Sequence, residues 1–234
     1  MYGRTNAGGG VSAKGFIQTT YPEGSICTCS NGTRTLQARD TSGYMMFILP
    51  AIGTWTVTAT DPADPTNTDS ETVEITKEGE SVSVKLSYRL WLYKEGNEYT
   101  DITGGWEKRA QNNGSGGSLT KGISSMTVTG SSNTSVGGCG GGTVNVIDLR
   151  EISTIYINVL AAANGSAKDT AGYALVVSEG NTNPALSNAL AGVEINETTL
   201  GTMSFDVSNV DEGVVCIIAY SGKGQIEYNR VWCK

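Results

Sequence analysis

The chain of 234 residues contains no histidine. That absence removes Ser-His-Asp and Cys-His nucleophilic chemistry, together with the commonest zinc ligand. Charge is sparse as well. Asp, Glu, Lys and Arg make up 17% of the residues, and acids outnumber bases by 23 to 16, for a net charge of −7. A phosphate backbone needs a basic footprint, so a nucleic-acid partner is not expected. No apolar run approaches the ~18 residues that a membrane span requires, so membrane insertion is not expected either. The start, Met1 to Gly10, is polar and glycine-rich and lacks the apolar segment of a secretory signal, which predicts synthesis in the cytoplasm without classical export.

A disulfide framework is also missing. The five cysteines, Cys27, Cys29, Cys139, Cys216 and Cys233, are odd in number and irregular in spacing. Cys27 and Cys29 fall two apart in a predicted strand, on one face and roughly 7 Å apart, so a bridge between them would distort the backbone. Free thiols are the expectation.

What is present is an all-β pattern rich in Gly, Ser, Thr and Asn, and it is clearest at residues 43–59. Tyr44 to Leu49 is almost continuously apolar, as a strand covered on both faces would be. After Pro50 and Gly53 the chain alternates, with Trp55, Val57 and Ala59 on one side and threonines on the other. This predicts a half-buried strand, joined to the first by a tight turn as a hairpin. Around it, 15–21, 25–30, 33–40, 71–76 and 81–86 read as further strands. Asn31-Gly32 marks a hairpin turn, and 61–69 reads as a loop. Short strands at this spacing predict a sandwich over residues 13–88, preceded by a flexible arm, 1–12.

The elements Tyr21-Pro22-Glu23-Gly24-Ser25, Asp40-Thr41-Ser42-Gly43 and Phe47-x-Leu49-Pro50-x-x-Gly53-Thr54-Trp55-Thr56-Val57 resemble the PEGA and carboxypeptidase-regulatory-like family of small β-sandwiches. With the arm Met1-Tyr2-Gly3-Arg4-Thr5-Asn6-Ala7-Gly8-Gly9-Gly10 in front, the first ~90 residues are similar to the N-terminal region of virion structural proteins from phages and prophages of Gram-positive bacteria. The resemblance implies a docking or spacer module of Ig-like or prealbumin-like plan, and it carries no catalytic residues.

Residues 89–234 read as a second, larger sandwich of jelly-roll-like plan. Its strands are expected over 118–129, 143–149, 154–160, 173–178, 192–195, 203–207, 213–220 and 225–232, with one helix-like stretch at 185–191. The closing pattern from Phe205 to Trp232 resembles the last strands of galactose-binding-like carbohydrate modules.

Several constellations invite chemistry. The run Gly137-Gly138-Cys139-Gly140-Gly141-Gly142 lacks the Lys-Ser/Thr of a phosphate loop and reads as a mobile loop between strands. Asp61, Asp64, Asp69 and Glu71 crowd one segment and are the candidate calcium ligands, against the plainer reading of a solvated turn. Glu151, Asp169, Glu194 and Asp206 are the carboxylates from which a glycosidase pair would have to come, and surface charge is their default reading. Trp91, Tyr93, Tyr99 and Trp106 cluster within a short span. They are the candidate sugar-stacking aromatics, with packing at a domain junction as the alternative. Tyr156, Tyr173, Tyr220 and Tyr228 divide between core and surface.

Together these features predict a non-enzymatic virion protein without a cofactor: a head decoration, head fibre or tail-associated adhesin. Residues 1–88 would mount it among other virion proteins, and residues 90–234 would be the displayed or receptor-facing domain. It would be assembled in the bacterial cytoplasm and released with the particle, as a homo-oligomer of threefold symmetry. The alternative is a carbohydrate-binding module for bacterial surface glycans.

Overall fold

The computed structural model describes residues 13–110, 116–133, 138–166, 169–181 and 183–234. The expected arm, 1–12, lies outside them. The chain divides into two compact units, ending at Arg89 and beginning at Leu90.

The first unit contains β1 (Gly15–Thr20), β2 (Ile26–Ser30), β3 (Thr35–Gln37), β4 (Tyr44–Leu49), β5 (Gly53–Asp61), β6 (Asp64–Ile75) and β7 (Glu80–Lys85). They form two sheets, β4-β1-β7 and β3-β2-β5-β6. Alternation drives the assembly. Ile17 and Thr19 of β1, Cys27 and Cys29 of β2, and Trp55, Val57 and Ala59 of β5 all turn inward and are buried, meeting Phe47, Leu49, Ile75 and Val84. β1 and β4 run antiparallel, whereas β1 and β7 run parallel, with Gly15 opposite Glu80 and Thr20 opposite Lys85. The β2–β3 hairpin forms where Asn31-Gly32 marks it. Gly32 takes φ 82°, and Asn31 Oδ1 accepts from the Thr33 and Arg34 amides.

Three sequence readings of this unit are corrected. β4 and β5 are not a hairpin, because they belong to different sheets. The turn at Pro50–Ile52 carries the chain across the sandwich, and Trp55 Nε1 donates to Ala51 O at 3.2 Å to fix the arch. Nor is β4 covered on both faces: Phe47 and Leu49 are buried, but Tyr44 is 50% and Ile48 57% exposed. The segment 61–69 is mostly strand. β6 starts at Asp64, and only Pro62-Ala63 is left to turn.

The second unit contains β8 (Leu90–Lys94), a short helix α1 (Thr100–Thr103), β9 (Trp106–Ala110), β10 (Ser118–Lys121), β11 (Met126–Thr129), β12 (Cys139–Thr143), β13 (Ile147–Asp148), β14 (Thr154–Ala163), β15 (Gly172–Val177), β16 (Ala191–Ile195), β17 (Gly201–Asp206), β18 (Glu212–Ala219) and β19 (Gln225–Cys233). The helix-like stretch at 185–191 reduces to a 3₁₀ turn, Leu186–Asn188. Two antiparallel sheets pack as a jelly-roll-like sandwich. One runs β10-β11-β19-β14-β17, with β8 on the same edge of β19 as β11. The other runs β16-β15-β18-β12-β9, with β13 beside β18. The core between them includes Ile155, Ile157, Ile217, Ile226, Tyr228 and Val231. A smaller cluster, Leu175, Val177, Val214, Cys216 and Ile218, sits on the far side of β15 and β18.

The glycine run is corrected too. Cys139 to Gly142 is not a loop but a buried central strand between β18 and β9. Gly140, Gly141 and Gly142 lack side chains where neighbours approach too closely for one. A Cβ on Gly140 would lie 1.8 Å from Ile217 O, and one on Gly141 would lie 2.9 Å from Leu119 Cδ1. The expected single strand 118–129 is likewise two, β10 and β11, turned at 122–125 where Gly122 N donates to Ser125 O.

Candidate functional site

Burial decides the fate of the predicted stacking aromatics. Trp91, Tyr93 and Trp106 are 4%, 1% and 3% exposed, which corrects their assignment as a sugar platform. Tyr93 packs edge-on against Trp106 and Tyr228, at centroid separations of 6.4 and 5.8 Å. The indole of Trp106 donates to Leu92 O at 3.2 Å. The rings of Tyr93 and Trp106 belong to the core of the second unit, whereas Trp91 lies opposite Trp232 on β19, with ring centroids 5.5 Å apart. Tyr99, half-buried, serves the backbone: it takes φ 46° and opens α1.

The predicted calcium ligands are spread along the β5–β6 ribbon and do structural work. Asp61 Oδ1 accepts from Ala63 N, and Asp64 Oδ1 accepts from Thr66 N and Oγ1. Asp69 Oδ2 accepts from Ser87 N at 2.8 Å, and Glu71 stands exposed, opposite Val57. Buried Asn67 closes the arrangement, donating to Arg89 O and accepting from Arg89 N. Among the described residues no group of three or more Cys, Asp or Glu converges on a metal position.

The candidate glycosidase acids fall on separate elements. Asp206 ends β17, where the amide and hydroxyl of Ser208 hold its carboxyl below the usual range. Glu194 lies on β16 opposite Tyr173, and Asp169 precedes β15. Glu151 borders an open cleft with Asp148, Arg150 and Ile152. Arg150 Nε donates to Asp148 Oδ1 at 2.9 Å, and this pairing pulls the Asp148 carboxyl down to about 2. On its other side Arg150 borders a second cleft of about 550 Å³ with Leu190, Asn209, Val210, Asp211 and Glu212.

A different surface concentrates recognition chemistry: the outward face of the β8-β19-β14-β17 strands. On β14, Ile155, Ile157 and Val159 fill the core, so Thr154, Tyr156 and Asn158 face out. In register, Tyr156 lies opposite Trp232 on β19 and Ser204 on β17, while Asn158 lies opposite Arg230 and Thr202. The rings of Tyr156 and Trp232 stack at 5.1 Å with only 4° between their planes. Trp232 itself is 8% exposed, and the half-buried Tyr156 is the accessible member of the pair.

Next to the rings stands a row of amides and hydroxyls. The β14–β19 ladder shifts register at Asn158–Ala161, and the additional residue Asn229 turns its amide to this face. Asn158 Nδ2 donates to Asn229 Oδ1 at 2.7 Å, and Thr202 Oγ1 donates to Asn158 Oδ1 at 3.2 Å. Arg230 Nε donates to Glu95 Oε1 at 2.9 Å. Glu95 is placed there by a two-residue turn in which it and Gly96 take φ 49° and 95°, with Glu95 N bonded to Asn229 O. Beyond them, the outward positions of β17, β11 and β10 are Thr202, Ser204, Asp206, Thr127, Thr129, Ser118 and Thr120, with Glu227 of β19 opposite Thr127. Tyr156 and Asn158 carry no local motif that marks them as site residues. The alternation of β14 was the signal that places them outward.

No protein-family model and no curated protein matches the chain. Among solved structures, it is similar to a protein described under the promiscuous specificity of carbohydrate-binding modules from the β-sandwich superfamily. That match has a TM-score of 0.34 and 13% identity, covering 90% of this chain and 84% of the other. It is also similar to a DUF3823 family protein from Parabacteroides merdae, with a TM-score of 0.26 and 12% identity, covering 94% and 98%. A third is a putative carbohydrate-binding protein from Bacteroides uniformis, with a TM-score of 0.22 and 13% identity, covering 91% and 95%.

Proposed function

We propose that the second unit is a non-catalytic recognition module for neutral glycans, and that it binds them on the sheet face around Tyr156. The observation that supports this reading is the juxtaposition of the stacked Tyr156–Trp232 pair with the Asn158–Asn229–Thr202 hydrogen-bonded row. A sugar ring has an apolar C–H face and a rim of hydroxyls. It is matched by an aromatic beside groups that both donate and accept. Amides and hydroxyls do both, while the Arg230–Glu95 pair supplies a planar donor fork held in place by its partner. The threonines and serines nearest the rings are uncharged and impose little desolvation cost on a neutral ligand, and the carboxylates of the same face, Asp206 and Glu227, stand farther along the strands.

Glycan-array screening of the full chain, followed by calorimetry on the strongest ligand, tests the proposal. Tyr156→Ala and Asn158→Ala are each expected to weaken binding about tenfold or more, the size of one lost stacking or hydrogen-bonding contact. Tyr156→Phe keeps the ring and should retain most of the affinity. Binding that ignores all three substitutions in folded protein, or no glycan bound at all, overturns it.

A second reading concerns where the module works. The resemblance of the first ~90 residues to virion structural proteins supports a particle-borne protein, with the first unit as its mount. Peptide mass spectrometry of purified particles from the producing culture tests this, and particles free of the chain would reject it.

A further inference from the structure

The free edge of β4 is chemically unlike the other edges of the first unit. β6 is guarded by charge: Asp64, Asp69, Glu71 and Glu74 lie along it, and Asp69 and Glu71 occupy positions on its core-facing side. β7 carries Glu80 and Lys85, with serines between them, and β3 is only three residues long. β4, Tyr-Met-Met-Phe-Ile-Leu, has no charge, no proline and no register shift against β1, and among the described residues no strand pairs with its other side. These are the features of a strand built to be paired on both edges.

The backbone and side chains of this edge point the same way. Tyr21 N donates to Gly43 O and Lys14 N to Leu49 O, so the odd-numbered residues turn their peptide groups toward β1. By the alternation of an antiparallel ladder, Tyr44, Met46 and Ile48 turn theirs toward the free edge. The side chains of the same three residues lie on the outward face, where Ile48 stands opposite Phe16. Tyr44 and Ile48 are half-exposed or more, and Ile52 beside them in the arch is 50% exposed.

We propose that this edge is a self-association surface occupied by β4 of a second copy of the chain. The pair is antiparallel, with the twofold axis through Met46. In that register Tyr44 faces Ile48 of the partner subunit and Met46 faces its own mate, so apolar side chains meet apolar side chains. The peptide groups of all three residues close reciprocal hydrogen bonds, and the three-stranded sheets of two copies become one continuous sheet. Charge selects this occupant. Each chain carries −7 overall, and an uncharged edge is where two copies approach without setting like charges opposite each other. Residues 1–12 suit the edge less well, since Gly8-Gly9-Gly10 has no side chains to cover Tyr44 or Ile48. A twofold contact of this kind closes at two copies, which departs from the threefold assembly expected from the sequence.

Light scattering and sedimentation of the full chain over a concentration series test the proposal. Wild type is expected to move from 24.5 kDa toward twice that mass as concentration rises. Met46→Pro removes an edge-facing N–H where an edge strand tolerates proline, and Met46→Lys sets two like charges directly opposite each other on the axis. Both should remain monomeric with an unchanged circular dichroism spectrum. Ile123→Lys, at a fully exposed site in the second unit, should dimerise as wild type does. Should Met46→Pro misfold, Met46→Cys provides the second reading. A thiol lying opposite its own mate is expected to cross-link the chain into covalent dimers under mild oxidation, whereas the five native thiols are buried. A wild-type chain that stays monomeric, or an oligomer that Met46→Lys leaves intact, overturns the proposal.

Discussion

Each of the five cysteines is free and buried, and burial raises the thiols. Cys27 is pushed up to about 11, and Cys29, Cys216 and Cys233 to about 12. In the unfolded chain these thiols ionise near 9.0. The folded state therefore holds its protons longer than the unfolded state does, and stability falls as pH rises. The stabilisation is complete below about pH 9 and is progressively lost between pH 9 and 12. Thermal melts across that range should show a falling midpoint, with thiol-reagent uptake appearing only as the protein unfolds. A flat midpoint between pH 8 and 11 would contradict the burial. At this scale the sequence was only half legible. That the thiols are unbridged followed from their number and spacing, but their depth did not. Likewise, four aromatics close together in the chain say nothing about which way they face. Tyr93 and Trp106 turn inward because they meet Tyr228 from the far end of the unit, a contact invisible in local spacing.

Among the elements, β12 shows most clearly how local composition misleads. Glycine has low strand propensity, so Gly140-Gly141-Gly142 reads as a loop, yet its environment selects glycine for space. The two nearest clashes differ in kind, and this separates two substitutions. Gly140→Ala drives a methyl against the Ile217 carbonyl, which is backbone and cannot withdraw. It should cost about 3 kcal/mol or more and find no rescue. Gly141→Ala meets the end of the Leu119 side chain. Its cost should be about 1–3 kcal/mol, and Leu119→Ala should recover part of that in a double-mutant cycle read by denaturant unfolding. Equal, purely additive losses would show that β12 is not packed in this way. Where alternation was intact, as in β5 and β7, strands were legible almost to the residue, while β14 runs three residues past its expected end. The arch between β4 and β5 was not, because Pro and Gly at a strand end mark a change of direction without saying which sheet the chain joins next. The same limit hid the face around Tyr156: Tyr156 and Asn158 could be placed outward from β14 alone, but their neighbours Trp232, Asn229 and Thr202 come from strands that only the fold makes adjacent.

For the whole molecule, the two units differ in how their first and last strands meet. In the first unit β1 and β7 lie side by side in parallel, and in the second β8 and β19 are antiparallel, with Leu90 opposite Cys233. Under tension these arrangements respond in opposite ways. Pulling the first unit by its ends slides β1 along β7, and the hydrogen bonds of that ladder bear the load together. Pulling the second draws Leu90 and Cys233 apart from the same end, and the β8–β19 bonds open one after another. In single-molecule pulling from both termini, the second unit should therefore yield first and at the lower force, leaving the first unit intact as a mechanical clamp. The opposite order of rupture would contradict the strand pairing. One chain thus combines a unit that resists tension applied at its ends with a unit that peels under it.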